Sequence, residues 1–508
     1  MAVKIILLIL FFGVMMGIGV YARKHATDVN GFVLGGRSVG PWLTAFAYGT
    51  SYFSAVVFVG YAGQFGYKYG LASTWIGIGN AVLGSLVAWV VLGRRTRIMS
   101  KHLGSMTMPD FFGKRYDSQS LRIAASVIAF IFLIPYTASV YNGLSYLFGM
   151  AFDVDFRICV VVMAVLTGVY VIIGGYMATA WNDLIQGIIM LFGIVAVIAA
   201  VLSGHGGFMA AVKELAQVPS SVMPGAYASF LGPDPANLFG VVILTSLGTW
   251  GLPQMIQKFY AIKDEKAVHT GTIISTLFAI VVSGGCYFLG GFSRISGVKE
   301  AVDGTVKYDT IIPTMLSSLP DILIGIVIVL VLSASMSTLS SLVLTSSSTL
   351  TLDFLKGNII KKMDEKKQLL TMRIFLVFFV VISVVIALDP PTFIAQLMGI
   401  SWGALAGAFL APFMYGLYWK GVTKSAVWAS FICGVGITVS NMFFHFIASP
   451  INAGAIAMVA GLIVVPVVSL ITPKLSGDKV NEIFECYEEK VTVEQKLVLT
   501  DEEEKCEK

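Results

Sequence analysis

Apolar runs of about 20 residues recur along the whole chain, and each is long enough to cross the ~30 Å hydrocarbon core of a bilayer. Hydrophobic residues make up 56% of the sequence and charged residues 12%. The charged share is about half the ~25% that is typical of soluble domains. A soluble protein cannot bury so many helices that are apolar on every face. The sequence therefore predicts an all-α integral membrane protein.

We predict about thirteen transmembrane helices, which form a single transmembrane domain over residues 1–472, followed by a short charged tail over residues 473–508. The predicted helices lie near residues 3–22, 41–63, 72–92, 123–147, 157–176, 181–203, 237–258, 269–292, 320–350, 372–388, 392–418, 424–446 and 453–472. The first run is interpreted as a retained helix and not a signal peptide, because basic residues follow it and no small-residue cleavage site is evident.

The basic residues predict how the chain is oriented in a plasma membrane. With thirteen helices, most of the 34 lysine and arginine residues fall on one side, in the tail and in loops such as 94–122, 258–266 and 356–373. Loops rich in lysine and arginine face the cytoplasm. We therefore expect the N-terminus outside and the tail inside.

Several classes of protein are disfavoured by what the sequence contains. The five cysteines have no spacing typical of a metal site or a disulfide framework. No GxxxxGK[ST] loop is present, so energy would have to come from an ion gradient and not from ATP bound by this chain. The five histidines are scattered, which argues against an enzyme. A sensor would need an output domain, which the short tail does not supply, and no nucleic-acid partner is expected.

Two predicted helices carry signals of a broken backbone. Helix 41–63 has small and hydroxyl residues from Ala47 to Ala55, and helix 237–258 contains Gly251-Leu252-Pro253-Gln254. Proline removes a backbone donor and crowds the preceding turn. Each of these helices opens a group of five, so equivalent helices run in opposite directions. Discontinuous helices at corresponding positions of inverted halves are a pointer to a transporter's central site, although close packing and a simple proline kink are the alternative interpretations.

Hydroxyl groups and one carboxylate add polarity that hydrocarbon would reject. Predicted helix 320–350 carries a dense run of serine and threonine from Ser333 to Thr349. These hydroxyls can bond back to their own helix, or they can act as the oxygen ligands that hard cations prefer. Asp183 has no lysine or arginine close in sequence, so a bound cation could supply its partner. The alternative is that Asp183 is a helix N-terminal charge favoured by the macrodipole.

These segments resemble the sodium:solute symporter family from about Gly31 to Trp428. The motifs that carry the resemblance occur in the family order: Leu34-Gly35-Gly36-Arg37-Ser38, Gly174-Gly175 with Trp181-Asn182-Asp183-Leu184-Ile185-Gln186, Gly251-Leu252-Pro253-Gln254, and Ala334-Ser335-Met336-Ser337-Thr338-Leu339-Ser340-Ser341. The resemblance implies a leucine-transporter-type five-plus-five inverted repeat, with its core at about residues 41–418.

The resemblance also implies where Na⁺ would bind. One Na⁺ site would use the carbonyl oxygens of Thr50, Phe53 and Ala334 and the hydroxyls of Ser337 and Thr338. Some members have a second Na⁺ site, which Asp183, Ser337, Ser340 and Ser341 match here. Because a matching ligand set can go unused, one and two Na⁺ per cycle both remain open.

The solute would bind near the middle of the membrane. Our candidate solute-binding residues are Tyr52, Tyr136, Tyr141, Trp250, Gln254, Ser401 and Trp402. The aromatic ones can equally serve packing. Sodium/proline symporters have an aspartate where Tyr52 aligns, and aromatic residues where Thr245 and Thr249 stand, which argues against proline as the solute.

The sequence thus predicts Na⁺-coupled symport of a small organic solute by alternating access, with a carboxylate-bearing metabolite such as an amino acid, pantothenate or a monocarboxylate favoured. No lysine or arginine is predicted in mid-bundle, so a solute carboxylate would rely on helix N-termini or on Na⁺ itself. A proton-coupled or uncoupled carrier is the alternative, as is a membrane sensor of the same fold. The oligomeric state is left open.

Overall fold

The computed structural model describes residues 2–297, 306–356, 358–360 and 362–488. Its main helices are α1 (Ala2–Ala22), α2 (Pro41–Tyr52), α3 (Val56–His102), α4 (Gln119–Phe152), α5 (Phe156–Gly204), α6 (Pro235–Trp250), its bent continuation α7 (Pro253–Ala261), α8 (Glu265–Gly290), α9 (Asp321–Leu355), α10 (Glu365–Leu388), α11 (Ile394–Tyr418), α12 (Lys424–Phe444) and α13 (Pro450–Ile471). Shorter helices cover Val29–Leu34, Met108–Arg115, Phe208–Ala216, Ile311–Leu316 and Gly477–Glu485. Apart from two isolated bridges, the described residues form helices and loops, which confirms the all-α class.

The number of membrane crossings depends on how the bent helices are divided. Among the described residues, ten helices are long and apolar enough to cross a membrane, or eleven when α6 and α7 are joined as one bent span. The predicted count of thirteen stays a prediction. It requires α3 to be divided at Gly70, which has φ 62° and ψ −139°, and the apolar helix Phe156–Val169 within α5 to be a span of its own.

The division that we predicted between helices 157–176 and 181–203 corresponds to a sharp turn inside α5. The chain turns at Gly175, where φ is 55° and ψ is −153°, a few residues before the predicted boundary. Glycine has no Cβ and adopts positive φ without steric cost, so one residue replaces a loop.

The predicted break in the second span is confirmed. Phe53, directly after α2, has φ −106° and ψ 84°, outside the helical range. The amides of Val57 and Phe58 both donate to the Ser54 carbonyl, at 3.0 and 3.1 Å. A regular α-helix would pair the Val57 amide with the Phe53 carbonyl. The break therefore frees backbone oxygens in the interior of the bundle.

The predicted bend at Pro253 is also confirmed. Helices α6 and α7 are inclined by 42° across residues 251–252. Leu252 has the extended values φ −86° and ψ 120°, and Pro253 begins α7 at a position where its missing N–H breaks no bond.

Burial separates inner from outer helices. Within the apolar 18-residue stretch of each helix, 78% of the residues are buried in α9 and 89% in α11. In α1 and α10 the buried share is 22%. Helix α9 packs against α4 and α5, and α11 packs against α4, α12 and α13. The hydroxyl-rich helix is thus enclosed by protein, and its polar groups avoid lipid.

The beginning of the tail packs on the face that carries the basic loops. In the helix Gly477–Glu485, Val480 and Phe484 are buried, and the Arg115 guanidinium lies 4.9 Å from the Phe484 ring centroid. Lys479 Nζ lies 2.6 Å from Asp117 Oδ2, and this hydrogen bond lowers the pKa of Asp117. The tail and these loops therefore share one side of the bundle. The acidic segment 501–505 lies outside the described residues.

Candidate functional site

A cluster of oxygens lies where the broken end of α2 meets α9. The Thr338 hydroxyl is within hydrogen-bond distance of three backbone carbonyls: Ala334 O at 3.0 Å, Thr50 O at 3.3 Å and Ser51 O at 3.4 Å. One of these carbonyls belongs to α9 and two belong to α2. A single threonine side chain therefore joins the two helices through atoms that are all potential cation ligands.

Ser337 adds a second hydroxyl contact between the same helices. Its Oγ donates to Thr50 Oγ1 at 2.7 Å, and Thr50 Oγ1 donates to Phe46 O at 2.7 Å within its own helix. Thr50, Ser337 and Thr338 are fully buried. The fifth predicted ligand, Phe53, stands at the break. The structure thus brings the predicted ligand atoms of Thr50, Ala334, Ser337 and Thr338 together. The carbonyl of the fifth, Phe53, lies outside the regular hydrogen-bond pattern of the helix.

This donor set fits a small hard cation. It consists of neutral carbonyl and hydroxyl oxygens in a buried site, which is the ligand type that such cations take. A monovalent cation would bring the site's only formal charge, so no buried carboxylate needs to be neutralised there. We call Thr50, Phe53, Ala334, Ser337 and Thr338 the α2–α9 site.

A second polar cluster lies beside it, and here the structure corrects the sequence analysis. Asp183 on α5 is completely buried. Its charged partner is Lys258 on α7, whose Nζ lies 4.0 Å from Asp183 Oδ2 and donates to Ser341 Oγ at 2.9 Å. Lys258 was predicted in a cytoplasmic loop, but its side chain is 2% exposed. The expectation that no lysine lies in mid-bundle is wrong.

A sequence signal for Lys258 did exist. Pro253 restarts the helix, and Gln254, Gln257 and Lys258 then fall at helical spacing on one face of α7. Polar residues three and four positions apart inside a span indicate a face that avoids lipid. The signal was missed because the predicted span ended at residue 258.

The predicted solute-binding residues fall into two groups, and three aromatic side chains form the first. The Trp402 ring centroid lies 6.0 Å from that of Tyr52 and 5.8 Å from that of Tyr136. All three side chains are buried. The Tyr52 hydroxyl donates to Thr245 O at 2.5 Å, which ties α2 to α6. We call these residues the aromatic cluster.

The second group consists of the candidates outside the aromatic cluster, which are Tyr141, Trp250, Gln254 and Ser401. Ser401 Oγ donates to Phe132 O at 2.5 Å, and Trp250 Nε1 donates to Leu83 O at 3.0 Å. Tyr141 is buried, and its hydroxyl has no hydrogen-bond partner in the described ranges. These contacts support packing roles for Ser401 and Trp250 in this conformation.

Gln254 is the candidate with two unpartnered polar atoms, whereas Tyr136, Tyr141 and Trp402 each have one among the described residues. Neither Nε2 nor Oε1 has a hydrogen-bond partner among the described residues, and the side chain is inaccessible to solvent. Buried polar groups in folded proteins nearly always have partners. Gln254 lies in the first turn of α7, next to the bend. Its amide is therefore available to a ligand.

The glycines of the second span serve packing, as the alternative interpretation held. A Cβ on Gly49 would collide with the Phe278 ring, and one on Gly60 would collide with Ile394. The oxygens used in the α2–α9 site belong to neighbouring residues. Close packing and exposed carbonyls therefore coexist in this span.

Two discontinuous helices, one of which ends in a buried oxygen cluster on a hydroxyl-rich helix, define a secondary transporter. Comparison with known proteins agrees. The chain matches the sodium:solute symporter family over residues 32–434. It is 30% identical over 448 residues to sodium/proline symporter 2 of Staphylococcus saprophyticus, covering 85% of each chain. It is 28% identical over 484 residues to the sodium/proline symporter of Staphylococcus aureus strain COL, covering 93% of this chain and 92% of the relative.

Solved structures share the fold. A Na⁺-coupled sialic acid symporter in a substrate-bound outward-open state matches with a TM-score of 0.76 at 16% identity, over 93% of this chain and 99% of that one. Mhp1, a nucleobase-cation-symport-1 family transporter, matches with a TM-score of 0.56 at 14% identity, over 89% and 97%. The fold is of the leucine-transporter type.

The chain belongs to the sodium:solute symporter family. It is a multi-pass membrane protein that couples Na⁺ to the movement of a small solute, and Na⁺ is its coupling ion. Its relatives are transporters, in agreement with the prediction that it is not an enzyme.

Proposed function

We propose that this protein carries a small carboxylate-bearing solute into the cell with Na⁺ bound at the α2–α9 site. The observation that carries the proposal is the Thr338 hydroxyl, which lies 3.0 Å from Ala334 O and 3.3 Å from Thr50 O. A cation bound among these oxygens would hold α2 against α9. Losing that cation would let the two helices separate, which is the movement that alternating access requires.

Coupling follows from the position of the site at the end of α2. Tyr52 of the aromatic cluster lies two residues after Thr50, on the same broken helix. Ordering of this helix end by Na⁺ would also fix one wall of the solute site. Na⁺ and solute then favour the same state, so each raises the affinity for the other by the same factor. An inward-negative potential adds about 2.3 kcal/mol per charge per 100 mV.

The solute class rests on the groups around the bend of α7. The Gln254 amide is unpartnered and stands in the first turn of that helix, where backbone N–H groups favour anions. The aromatic cluster would hold an apolar part of the solute. The relatives named above are proline symporters, but Tyr52, Thr245 and Thr249 stand here where such symporters carry other residues. We therefore favour a carboxylated metabolite other than proline.

A thermal-shift screen of the purified full-length protein tests this function. The panel contains amino acids, pantothenate, short monocarboxylates and sugars, each in NaCl and in KCl. We expect a carboxylated compound to raise Tm in NaCl and not in KCl, because the solute site is completed when Na⁺ orders α2. Stabilisation of equal size in both salts would contradict Na⁺ coupling and favour a proton-coupled or uncoupled carrier. Stabilisation by sugars alone would contradict the solute class.

Replacement of the unpartnered glutamine tests the solute site. We expect Gln254→Leu to weaken solute binding about tenfold or more, and to leave Tm without solute unchanged or higher, because it removes a buried amide that lacks partners. Measuring Tm while the solute is titrated reports both effects.

Gln257→Leu is the matched control, since the Gln257 amide donates to Val33 O at 2.8 Å and accepts from Thr345 at 2.7 Å. It should lower Tm. If Gln254→Leu destabilises the solute-free protein as much as Gln257→Leu does, Gln254 is a packing residue.

We also propose the domain organisation and the membrane orientation of the chain. Residues 1–472 would form one transmembrane domain, with the inverted repeat at about 41–418 and the tail 473–508 in the cytoplasm. The contact of helix Gly477–Glu485 with the basic loops supports this orientation, because both would then face the cytoplasm. Alkaline phosphatase fused after residue 488 should be inactive in cells, and an active fusion would reverse the orientation. No nucleic-acid partner is proposed.

A further inference from the structure

The polar cluster next to the α2–α9 site already contains a cation. It comprises Asp183, Ser337, Ser340 and Ser341 together with Lys258, and we call it the lysine cluster. Lys258 Nζ donates to Ser341 Oγ at 2.9 Å, lies 4.0 Å from Asp183 Oδ2 and is 5.3 Å from the Tyr176 ring centroid. The ammonium is thus surrounded by a carboxylate, a hydroxyl and an aromatic face, which are the groups that bind cations.

The hydroxyls of the lysine cluster are engaged within the protein. Ser341 Oγ, which accepts from Lys258, is also 2.9 Å from Ser51 Oγ. Ser340 Oγ donates to Ser337 O at 2.8 Å on its own helix, and Ser337 Oγ donates to Thr50 Oγ1 at 2.7 Å in the α2–α9 site. A serine hydroxyl that donates its proton keeps lone pairs for a cation, but the oxygen of Ser341 already accepts from Lys258. A metal cation would have to displace the ammonium to gain that ligand.

The charges of Asp183 and Lys258 also oppose the binding of a metal cation. Asp183 and Lys258 are both inaccessible to solvent, with 0% and 2% of their side chains exposed, and their formal charges cancel. A metal cation that bound Asp183 would stand within a few ångströms of the ammonium. Like charges repel strongly where water is excluded. The cluster therefore accommodates one positive charge, and Lys258 supplies it.

We propose that Lys258 acts as a tethered cation that takes the place of a second Na⁺, so that the protein binds one Na⁺ per transport cycle, at the α2–α9 site. This inference rests on the proposed function and deepens it by fixing the ion stoichiometry. A tethered cation links α7 to α5 and α9 whatever the Na⁺ concentration. It stays with the protein throughout the cycle, so the Na⁺ that moves with the solute is the ion of the α2–α9 site alone.

Equilibrium binding of radioactive sodium to the purified full-length protein tests the proposal without measuring transport. We expect the wild-type protein to bind one Na⁺ per chain, with a Hill coefficient near one when Na⁺ is titrated against Tm. In Lys258→Met the carboxylate keeps its place but loses its cation. We expect this variant to bind two Na⁺ per chain, and to show a lower Tm than the wild type in KCl and a larger rise in Tm on adding NaCl.

Two matched variants separate charge from packing. Lys258→Arg keeps a positive charge and should bind one Na⁺. The double variant Lys258→Met, Asp183→Asn lacks both charges and should also bind one Na⁺, because the second ion has lost its carboxylate.

Two Na⁺ on the wild-type chain, or one Na⁺ on folded Lys258→Met, would overturn the inference. If Lys258→Met does not fold even in NaCl, the number of Na⁺ ions bound per wild-type chain decides whether the inference holds. Absence of Na⁺ binding to the wild type would overturn the proposed function together with this inference, whereas one Na⁺ on both chains would overturn the inference alone.

Discussion

The double variant Ser337→Ala, Thr338→Ala should bind Na⁺ at least about 100-fold more weakly than the wild type and should lose Na⁺-driven uptake. Both hydroxyls reach from α9 to α2, at 2.7 Å from Thr50 Oγ1 and 3.3 Å from Thr50 O. A hydrogen bond or ligand contact to a charged group is worth about 1.5–3 kcal/mol, so two of them are worth about 3 kcal/mol or more. Each 1.4 kcal/mol is about tenfold in affinity. The measurement is the Na⁺ dependence of solute uptake into proteoliposomes.

The matched control removes two hydroxyls from the same helix without touching α2. Ser335 Oγ donates to Val331 O at 2.6 Å and Ser347 Oγ donates to Leu344 O at 3.1 Å, both within α9. The double variant Ser335→Ala, Ser347→Ala should keep a Na⁺ affinity within about twofold of the wild type, because bonds back to the same helix contribute little to binding. Equal losses in the two double variants would place the Na⁺ site elsewhere.

Arg122→Met should lower the free energy of unfolding of the protein by about 3 kcal/mol. Arg122 Nε lies 3.0 Å from Asp353 Oδ1, and its NH2 lies 3.3 Å from Asp110 Oδ1. The Asp353 side chain is completely buried and that of Asp110 is 7% exposed, while Arg122 is 22% exposed. Removing one partner of a buried ion pair leaves an uncompensated charge, which costs about 3–5 kcal/mol, and the partial exposure of Arg122 places the effect at the lower end. Tm in detergent measures this effect.

Lys114→Met provides the control, because Lys114 contacts the Asp110 carboxylate from the surface and does not contact that of Asp353. Its Nζ lies 2.9 Å from Asp110 Oδ2, but its side chain is 40% exposed. Exposed ion pairs contribute at most about 1 kcal/mol, so the change in Tm should be small. A drop in Tm as large as that of Arg122→Met would show that burial of the Asp353 carboxylate is not the cause.

Much of the fold was predictable because hydrocarbon imposes strict local rules. Every backbone polar group in a bilayer must be satisfied inside the protein, so long apolar runs dictate helices. The bend at Pro253 was predictable from one residue, since proline cannot donate a backbone hydrogen bond. The break between predicted helices 157–176 and 181–203 was placed a few residues too late, because composition does not show that the turn lies at Gly175.

The α2–α9 site was predictable in its residue types and not in its contacts. The hydroxyl run on α9 and the weak helix at residues 47–55 could be read from the sequence, but their meeting could not. The residues of the Ser337–Thr50 contact are 287 positions apart in the chain. The aromatic cluster likewise joins Tyr52 to Trp402 through the packing of α2 against α11. Such pairings depend on how the helices pack, which no local pattern encodes.

By itself, the sequence determined the membrane class, the helical segments, the two broken helices and the hydroxyl-rich run of α9, because each follows from the chemistry of a short stretch of chain. Only the tertiary structure decided the environment of each charge. Lys258, 83 residues from Ser341 in the chain, looked like a loop lysine at the end of a span, yet it is buried between a carboxylate and a hydroxyl. The state and role of a buried charge depend on its neighbours within a few ångströms, and folding brings those neighbours from distant parts of the sequence.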